Sequence, residues 1–294
     1  MTDVIQNAID ALSLGSLYAL LALGVALIFG IMRLLNFAHG QLIVVGGYSL
    51  WVLDGLPTPL QILGTVLIVI AFALALELIA FRPLRNADPA VLLVSSFAVA
   101  FLMENLALVI FGGRAKGVPL PEWLSDNLVI GSLRVPVLSV VSVIAAAVLL
   151  ASLAAFLSRT SIGIQMRAAA ENFGTARLLG VRANTVIMAA FAISGVLAAT
   201  ASILIIAKGG TVTPGMGTAP VLIAFIAVII GGLGSLKGAV YGGLLLGILT
   251  VVLQVILPLS LRPYRDAFVY GVVLLVLTLR PQGLVVLRSA LQRV

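Results

Sequence analysis

Residues 12–31 read LSLGSLYALLALGVALIFGI, an apolar run without a charged side chain. An α-helix rises 1.5 Å per residue, so about 20 such residues cross the roughly 30 Å hydrocarbon core of a bilayer. The rest of the chain has the same character: 62% of the 294 residues are hydrophobic and 9% are charged, whereas roughly a quarter of a soluble domain is charged. We therefore predict an all-α, polytopic integral membrane helix bundle that forms one transmembrane domain over residues 1–294.

Nine apolar runs, separated by short polar breaks, predict about nine transmembrane helices. They cover residues 12–31, 35–53, 60–81, 90–111, 137–157, 185–207, 219–233, 239–257 and 267–279. The first two runs nearly touch at 32–34, and the break at 231–237 is short. A re-entrant or broken helix at either place would change the count, so eight spans is the alternative.

Basic residues set the expected orientation of these helices. They cluster in three segments, which are Arg82 with Arg85, residues 159–182, and Arg280, Arg288 and Arg293 in the tail. Basic loops stay in the cytoplasm, so we expect these segments inside and loop 112–136 outside.

The first run follows Asp3 and Asp10 rather than basic residues, so we expect it to be retained as a helix and not cleaved as a signal peptide. The basic loops also account for the net charge of +7, so we expect no nucleic-acid partner.

The longest polar interruption covers residues 158–184. Good helix formers run from Ile164 to Leu179 and are followed by Gly180, which predicts a short cytoplasmic helix. Glu171 lies four residues after Arg167, where the two can face each other. A helix of this size can seat in the groove of a partner protein, and an ordinary loop helix on the membrane surface is the alternative.

Glycines recur at helical spacing near the end of the chain. Small residues such as glycine allow close contact between helix backbones. The spacing therefore predicts helix packing at Gly234, Gly238, Gly242, Gly243 and Gly247. The preceding Gly231-Gly232 stretch could be taken for a phosphate-binding loop, but the chain lacks the glycine-lysine-serine/threonine end of that motif. We therefore expect no cofactor in this chain and ATP hydrolysis, if any, in another subunit.

Polar residues inside the apolar runs are candidates for a solute path, because such residues are costly in lipid. They are Asn36, His39, Glu104 and Asn105. Asn36 and His39 are three residues apart, so on one helix they would share a face. Structural hydrogen bonding is the alternative for all four. Glu77 lies near Arg82 and Arg85, which predicts a charge-compensated residue at the membrane edge.

The chain offers little for an enzyme. It contains no cysteine, and we find no paired carboxylates, metal-ligand spacing or nucleophile with a base at membrane depth. We therefore expect a protein without catalytic or metal-binding residues of its own.

Two N-terminal motifs resemble a known family. They are Gly15-Ser16-Leu17-Tyr18-Ala19-Leu20, and Leu35-Asn36-Phe37-Ala38-His39-Gly40 followed by Gly46-Gly47-Tyr48. The likeness continues at Arg167, Ala168, Asn172, Leu179-Gly180-Val181, Pro214, Gly217, Gly231-Gly232-Leu233-Gly234-Ser235 and Gly238-Ala239. Over nearly its whole length, the chain is similar to the permeases of branched-chain amino acid ABC transporters.

This resemblance implies a permease that pairs with a second permease subunit, either a paralogue or a second copy. It further implies two cytoplasmic ATPase subunits, an extracytoplasmic solute-binding protein and the inner membrane of a bacterium or archaeon. The loop helix then becomes the coupling helix received by the ATPase, with contact candidates Arg167, Glu171, Asn172, Arg177 and Gly180.

The implied function is import of leucine, isoleucine and valine by alternating access. The scarcity of charges within the apolar runs fits a zwitterion with an apolar side chain, and it equally fits urea or a short amide. A proton-coupled secondary transporter that relays protons through Glu104 and His39 is the alternative from another class.

Overall fold

A computed structural model describes residues 2–85, 87–119, 121–130, 133–280 and 283. The tail residues Arg288 and Arg293, expected in the cytoplasm, lie outside these ranges. The described helices are α1 (Thr2–Met32), α2 (His39–Val52), α3 (Thr58–Leu76), α4 (Pro89–Phe111), α5 (Val137–Arg159), α6 (Ser161–Glu171), α7 (Phe173–Leu178), α8 (Ala183–Gly209), α9 (Thr218–Gly231), α10 (Leu236–Ile256) and α11 (Arg265–Leu279). A π-helical turn, Glu77–Phe81, continues α3.

Short strands join the helices at one end of the bundle. Strands β1 (Lys116–Gly117) and β4 (Thr211–Val212) pair antiparallel, as do β2 (Asn127–Ile130) and β3 (Leu133–Pro136). The first pair links the segments that follow α4 and α8. The second forms a hairpin that leads directly into α5. Helices α6 and α7 lie at the opposite end of α5, which we call the α6–α7 end of the bundle.

Among the described residues, six helices are long and apolar enough to cross a membrane. They are α1, α3 with its π-helical turn, α4, α5, α8 and α10. Helices α2 and α9 have 14 residues each and α11 has 15. At 1.5 Å per residue these three span about 21–23 Å, less than the roughly 30 Å hydrocarbon core. The described residues therefore form a polytopic membrane helix bundle with six full-length spans and the three shorter helices α2, α9 and α11, besides α6 and α7.

The predicted helix boundaries are wrong at two places, each for a local reason. Helix α1 begins at Thr2 and not at residue 12. The prediction followed only the apolar run, and the polar turns before it are also helical. The second helix begins at His39 and not at residue 35, because Arg33 adopts a left-handed φ of 55° and ends α1. The linker that follows has internal partners: Phe37 N–H donates to Ser96 Oγ at 3.3 Å, and Ala38 N–H donates to Asn36 Oδ1 at 3.1 Å. Such partners are needed where backbone cannot reach water.

Helix α1 is the central element, and α10 packs closely against it. A Cβ added at Gly243 would overlap the backbone of Ala19, and one added at Gly247 would overlap the backbone of Gly15. On its other side, α10 meets α9, where Gly238 faces Gly231 and Gly242 faces Ala227. Four of the five glycines expected at helix contacts therefore lie at backbone contacts.

Gly234 differs from the other four glycines. It lies in the turn between α9 and α10 with a φ of +88°, a conformation that glycine adopts without strain. The expectation of a helical packing position is wrong at this residue, because Gly232, with a φ of +106°, ends α9 first.

Candidate functional site

Helices α2 and α9 begin beside each other inside the bundle. A Cβ added at Gly40 would lie 2.5 Å from the carbonyl oxygen of Gly217, and both glycines are buried. Helix α2 runs from this junction towards the stranded end, where Tyr48 stacks on Phe111 with ring centroids 4.1 Å apart. Helix α9 runs towards the start of α10, where Gly231 meets Gly238. Two half-length helices that start within a bundle are a common framework for solute sites in transporters.

Asn36 and His39 lie at this junction but do not share a helical face. Asn36 belongs to the linker before α2, and His39 is the first residue of that helix. His39 is fully buried, and its Nδ1 lies 3.0 Å from Ser194 Oγ. The single hydroxyl hydrogen of Ser194 is donated to Gly24 O at 3.1 Å, so Nδ1 of His39 is the donor to Ser194. His39 thus connects α2 to α8 through Ser194, and Ser194 in turn connects α8 to α1 through Gly24 O.

We expect Gly24→Ala to destabilise the protein by about 1–3 kcal/mol, the usual cost of overpacking. A Cβ at Gly24 would lie 2.5 Å from His39 Cε1 and 2.7 Å from Nε2, and the ring is fully buried and held by its hydrogen bond to Ser194. Thermal unfolding of the purified protein measures the loss. Gly30→Ala on the same helix is the matched control, because an added Cβ there meets nothing within 4 Å. The interpretation is wrong if the two variants unfold alike.

Glu104 and Asn105 lie on α4 and are half-buried. A Cβ added at Gly215, in the segment that leads into α9, would lie 3.2 Å from Glu104 Oε1. Asn105 Nδ2 donates to Phe101 O of its own helix at 2.8 Å. The four polar candidates therefore form two groups, one inside the junction and one on α4. The side-chain partner of His39 is Ser194 and not Glu104.

Residues 158–184 form two helices where one was predicted. Asn172 adopts an extended conformation that ends α6, and its Oδ1 accepts a 3.0 Å hydrogen bond from Thr175 N–H at the start of α7. Met166 and Ala169 of α6 are buried against the bundle. The five contact candidates are exposed, as are two residues that sequence reasoning missed. Together they form an exposed surface, named the docking surface below for the partner that the sequence predicts: Arg167, Glu171, Asn172, Arg177, Leu178, Leu179 and Gly180. The signal in the sequence that could have identified these two residues is the pair of consecutive leucines at the end of a polar loop.

A charged contact links this end of the bundle to α3. Glu77, in the π-helical turn, is fully buried and forms an ion pair with Arg85. Arg85 also donates to Asn184 Oδ1 at the start of α8, directly after the docking surface. The sequence predicted that Glu77 lies at the membrane edge and is charge-compensated by nearby arginines. In the structure, the arginine that pairs with it is Arg85. The contact joins the α3–α4 turn to the start of α8, which follows α7 in the chain.

A cavity of about 910 Å³ lies at the stranded end, between α1, α5, α8 and α10. Its lining includes Asp10, Ser142, Lys208, Gln254 and Arg265. Sequence reasoning did not find it, because these residues come from distant parts of the chain. A polar cavity of this size can hold water or a small polar solute at the end opposite α6 and α7.

Comparison with known proteins adds independent information. The family model described as "Branched-chain amino acid transport system / permease component" matches residues 7–277. The permease protein BraD of a high-affinity branched-chain amino acid transport system of Pseudomonas aeruginosa is 32% identical over 296 residues, covering 95% of each chain. The corresponding protein LivH of Escherichia coli is 29% identical, covering 95% of this chain and 94% of LivH.

An archaeal relative extends the range of the match. The probable branched-chain amino acid transport permease protein LivH of Methanocaldococcus jannaschii is 28% identical over 251 residues, covering 81% of this chain and 77% of that one. No solved structure matches the chain significantly. The family model spans the bundle from α1 to α11, including the junction, α4 and the docking surface. The chain therefore belongs to the family of permease components of branched-chain amino acid transport systems.

Proposed function

We propose that this chain is the membrane-spanning permease subunit of an ATP-driven importer that carries leucine, isoleucine and valine by alternating access. The observation that carries the proposal is the family match over residues 7–277. The chain itself supplies the path and does no covalent chemistry. ATP is bound and hydrolysed by partner subunits in the inner membrane complex of a bacterium or archaeon.

The proposed complex contains a second permease subunit, two cytoplasmic ATPase subunits and an extracytoplasmic solute-binding protein. The docking surface supports an ATPase partner, since Leu178 and Leu179 are apolar and almost fully exposed beside two arginines. Helix α4 supports a second permease subunit, because most of its apolar surface is left uncovered by the rest of the chain. In this arrangement the α6–α7 end faces the cytoplasm and the stranded end receives the solute-binding protein.

Alternating access needs a connection between the ATPase and the path. In the proposed mechanism, movement of the docking surface passes to the start of α8 and, through Asn184 and Arg85, to Glu77 at the end of α3. Helix α8 also carries Ser194, which bonds to His39 at the α2–α9 junction. Rigid helices linked at these two points can switch the bundle between its outward-open and inward-open forms.

Co-purification and uptake test the proposal. The tagged chain is expressed with its neighbouring genes and reconstituted in proteoliposomes, with ATP sealed at the ATPase face and radiolabelled leucine with the binding protein at the other. We expect ATPase subunits to co-purify and leucine uptake to require both ATP and the binding protein. Partners without leucine uptake would direct the assay to urea and short amides. A chain that purifies without ATPase would contradict the importer proposal.

Glu104→Gln separates the importer from a proton-coupled carrier. We expect the variant to keep most of its ATP-driven uptake, because the Glu104 carboxylate forms no ion pair with the described residues. A carrier that relays protons through Glu104 would lose its gradient-driven uptake. The measurement is leucine uptake with ATP alone and with a proton gradient alone, each with and without an uncoupler. Uptake that needs the gradient and Glu104 would favour the secondary transporter.

A further inference from the structure

A groove on the surface of the bundle lies between the first turns of α1 and the last turns of α10. Its cavity measures about 660 Å³, and every residue of its lining except Asn7 is apolar. Val4 and Ile256, which line its end, are 72% and 71% exposed, so the groove is open to the surroundings of the bundle. In a membrane, these surroundings are the acyl chains of lipids.

The length of the groove matches one leaflet of a bilayer. On α10 its lining runs from Leu244 to Ile256, which is a rise of about 18 Å at 1.5 Å per residue. Half of the roughly 30 Å hydrocarbon core is about 15 Å. Ile256 is the last residue of α10, at the stranded end. The groove therefore extends from one membrane surface to about the middle of the bilayer, which is the depth of one acyl chain.

The polar cavity at the stranded end adjoins this groove. Asn7, Val251 and Val255 line both the groove and the cavity of about 910 Å³ between α1, α5, α8 and α10. An apolar groove and a polar cavity thus meet where the outer ends of α1 and α10 lie side by side. This combination matches the two parts of an amphiphile.

The polar cavity carries an excess of positive charge. The charged residues of its lining are Asp10, Lys208, Arg262 and Arg265. Arg265 pairs with Asp266 at 2.9 Å, whereas Lys208 and Arg262 are exposed and form no ion pair with the described residues. In the proposed orientation this end is extracytoplasmic, so the bias of basic residues towards the cytoplasm does not account for them. Two cations therefore remain for an anionic ligand.

We propose that an anionic phospholipid binds at this place, with its phosphate held by Lys208 and Arg262 and one acyl chain in the groove between α1 and α10. Phosphate oxygens accept charge-assisted hydrogen bonds from lysine and arginine, and basic residues near a membrane surface attract anionic lipids. A free phosphate or an amino acid would occupy the cavity and leave the apolar groove unfilled. The inference goes beyond the proposed function and does not depend on which solute is carried.

Lipid binding to the purified chain in detergent tests the role of the two cations. We expect phosphatidylglycerol to be retained in native mass spectrometry and to raise the unfolding temperature. Lys208→Gln/Arg262→Gln should weaken this binding by about tenfold or more, since each basic residue near the surface contributes about fivefold. Arg114→Gln/Arg134→Gln is the matched control, because both arginines are exposed at the same end and do not line the cavity. It removes the same charge and should leave the affinity nearly unchanged.

Three competing ligands identify the occupant. We expect phosphatidylcholine, which has no net charge, to bind more weakly than phosphatidylglycerol. Inorganic phosphate and leucine should leave bound phosphatidylglycerol in place. Equal binding of both lipids, with no effect of Lys208→Gln/Arg262→Gln, would make the groove an ordinary lipid-facing surface, and the inference would be wrong. Displacement of the lipid by inorganic phosphate or leucine would make the cavity an anion or solute site, which also overturns the inference.

A photoreactive lipid tests the location of the acyl chain. Phosphatidylglycerol with a diazirine in its acyl chain is added to phosphatidylcholine vesicles that contain the protein, and mass spectrometry identifies the labelled peptides. We expect label on the start of α1 and the end of α10, and Ala8→Phe, which fills the groove, should remove most of it. Ala98→Phe is the control, because Ala98 is as exposed as Ala8 in class but lies on α4, outside the groove. Label spread evenly over the lipid-facing helices, or unchanged in Ala8→Phe, would contradict the proposed site.

Discussion

Arg85→Ala should destabilise the protein by about 3–5 kcal/mol, the usual cost of removing one partner of a buried ion pair. Glu77 is fully buried in the π-helical turn, and its Oε1 pairs with Arg85. Without the guanidinium, the carboxylate would remain in the interior without a counter-charge, and Asn184 would lose its donor. Thermal and denaturant unfolding in detergent measure the loss. We expect this loss of stability to exceed the loss caused by any other single substitution proposed above.

Two further variants show whether the ion pair causes the effect. Arg82→Ala removes an exposed arginine three residues earlier and should change stability little, because surface charges contribute about 0–1 kcal/mol. The double variant Glu77→Gln/Arg85→Ala removes the buried charge together with its partner and should recover part of the lost stability. Equal destabilisation by Arg82→Ala and Arg85→Ala, or no recovery in the double variant, would contradict the assigned role of Arg85.

The class of fold follows from composition, because residues that face lipid must be apolar over a length set by the bilayer. All nine apolar runs correspond to helices of the bundle. Hydropathy measures transfer into lipid and not helix formation, so it missed the polar first turns of α1. It also could not identify α2 and α9 as half-length helices, since their common starting point depends on the contact between Gly40 and Gly217.

The candidate site was less predictable, because its contacts join residues far apart in the chain. Polarity alone identified His39 and Glu104, but their different environments depend on Ser194 and Gly215. Gln41 Oε1 and the Tyr48 hydroxyl, which have no hydrogen-bond partner among the described residues, were missed for another reason: whether a buried polar atom has such a partner depends on residues elsewhere in the chain. The polar loop predicted the five exposed contact candidates of α6 and α7, and their docking role stays a prediction, whereas the exposure of Leu179 depends on the break at Asn172.

Leu179→Asp should abolish ATP-driven uptake while leaving the permease folded. Leu179 is 80% exposed at the end of α7, so its replacement costs the isolated chain little. If the ATPase covers this residue, the new carboxylate is buried without a partner, which costs several kcal/mol. That loss weakens docking by at least about 100-fold. We therefore expect the ATPase subunits to be lost on purification and leucine uptake in proteoliposomes to fall to background.

The control is Leu259→Asp, because Leu259 is 78% exposed and follows α10 at the opposite end of the bundle. The same change of charge and polarity there should leave ATPase association intact, since the proposed docking surface includes only residues of the α6–α7 end. Unfolding temperatures of both variants should match that of the wild type, which separates lost docking from lost folding.

If Leu179→Asp retains the ATPase and uptake, the partner does not dock on the surface formed by α6 and α7. If both variants lose the ATPase, the effect comes from added charge and not from a site. Only the asymmetric result, loss at Leu179 and retention at Leu259, places the ATPase contact on the docking surface, in the segment that leads into α8 and the Asn184–Arg85–Glu77 contact.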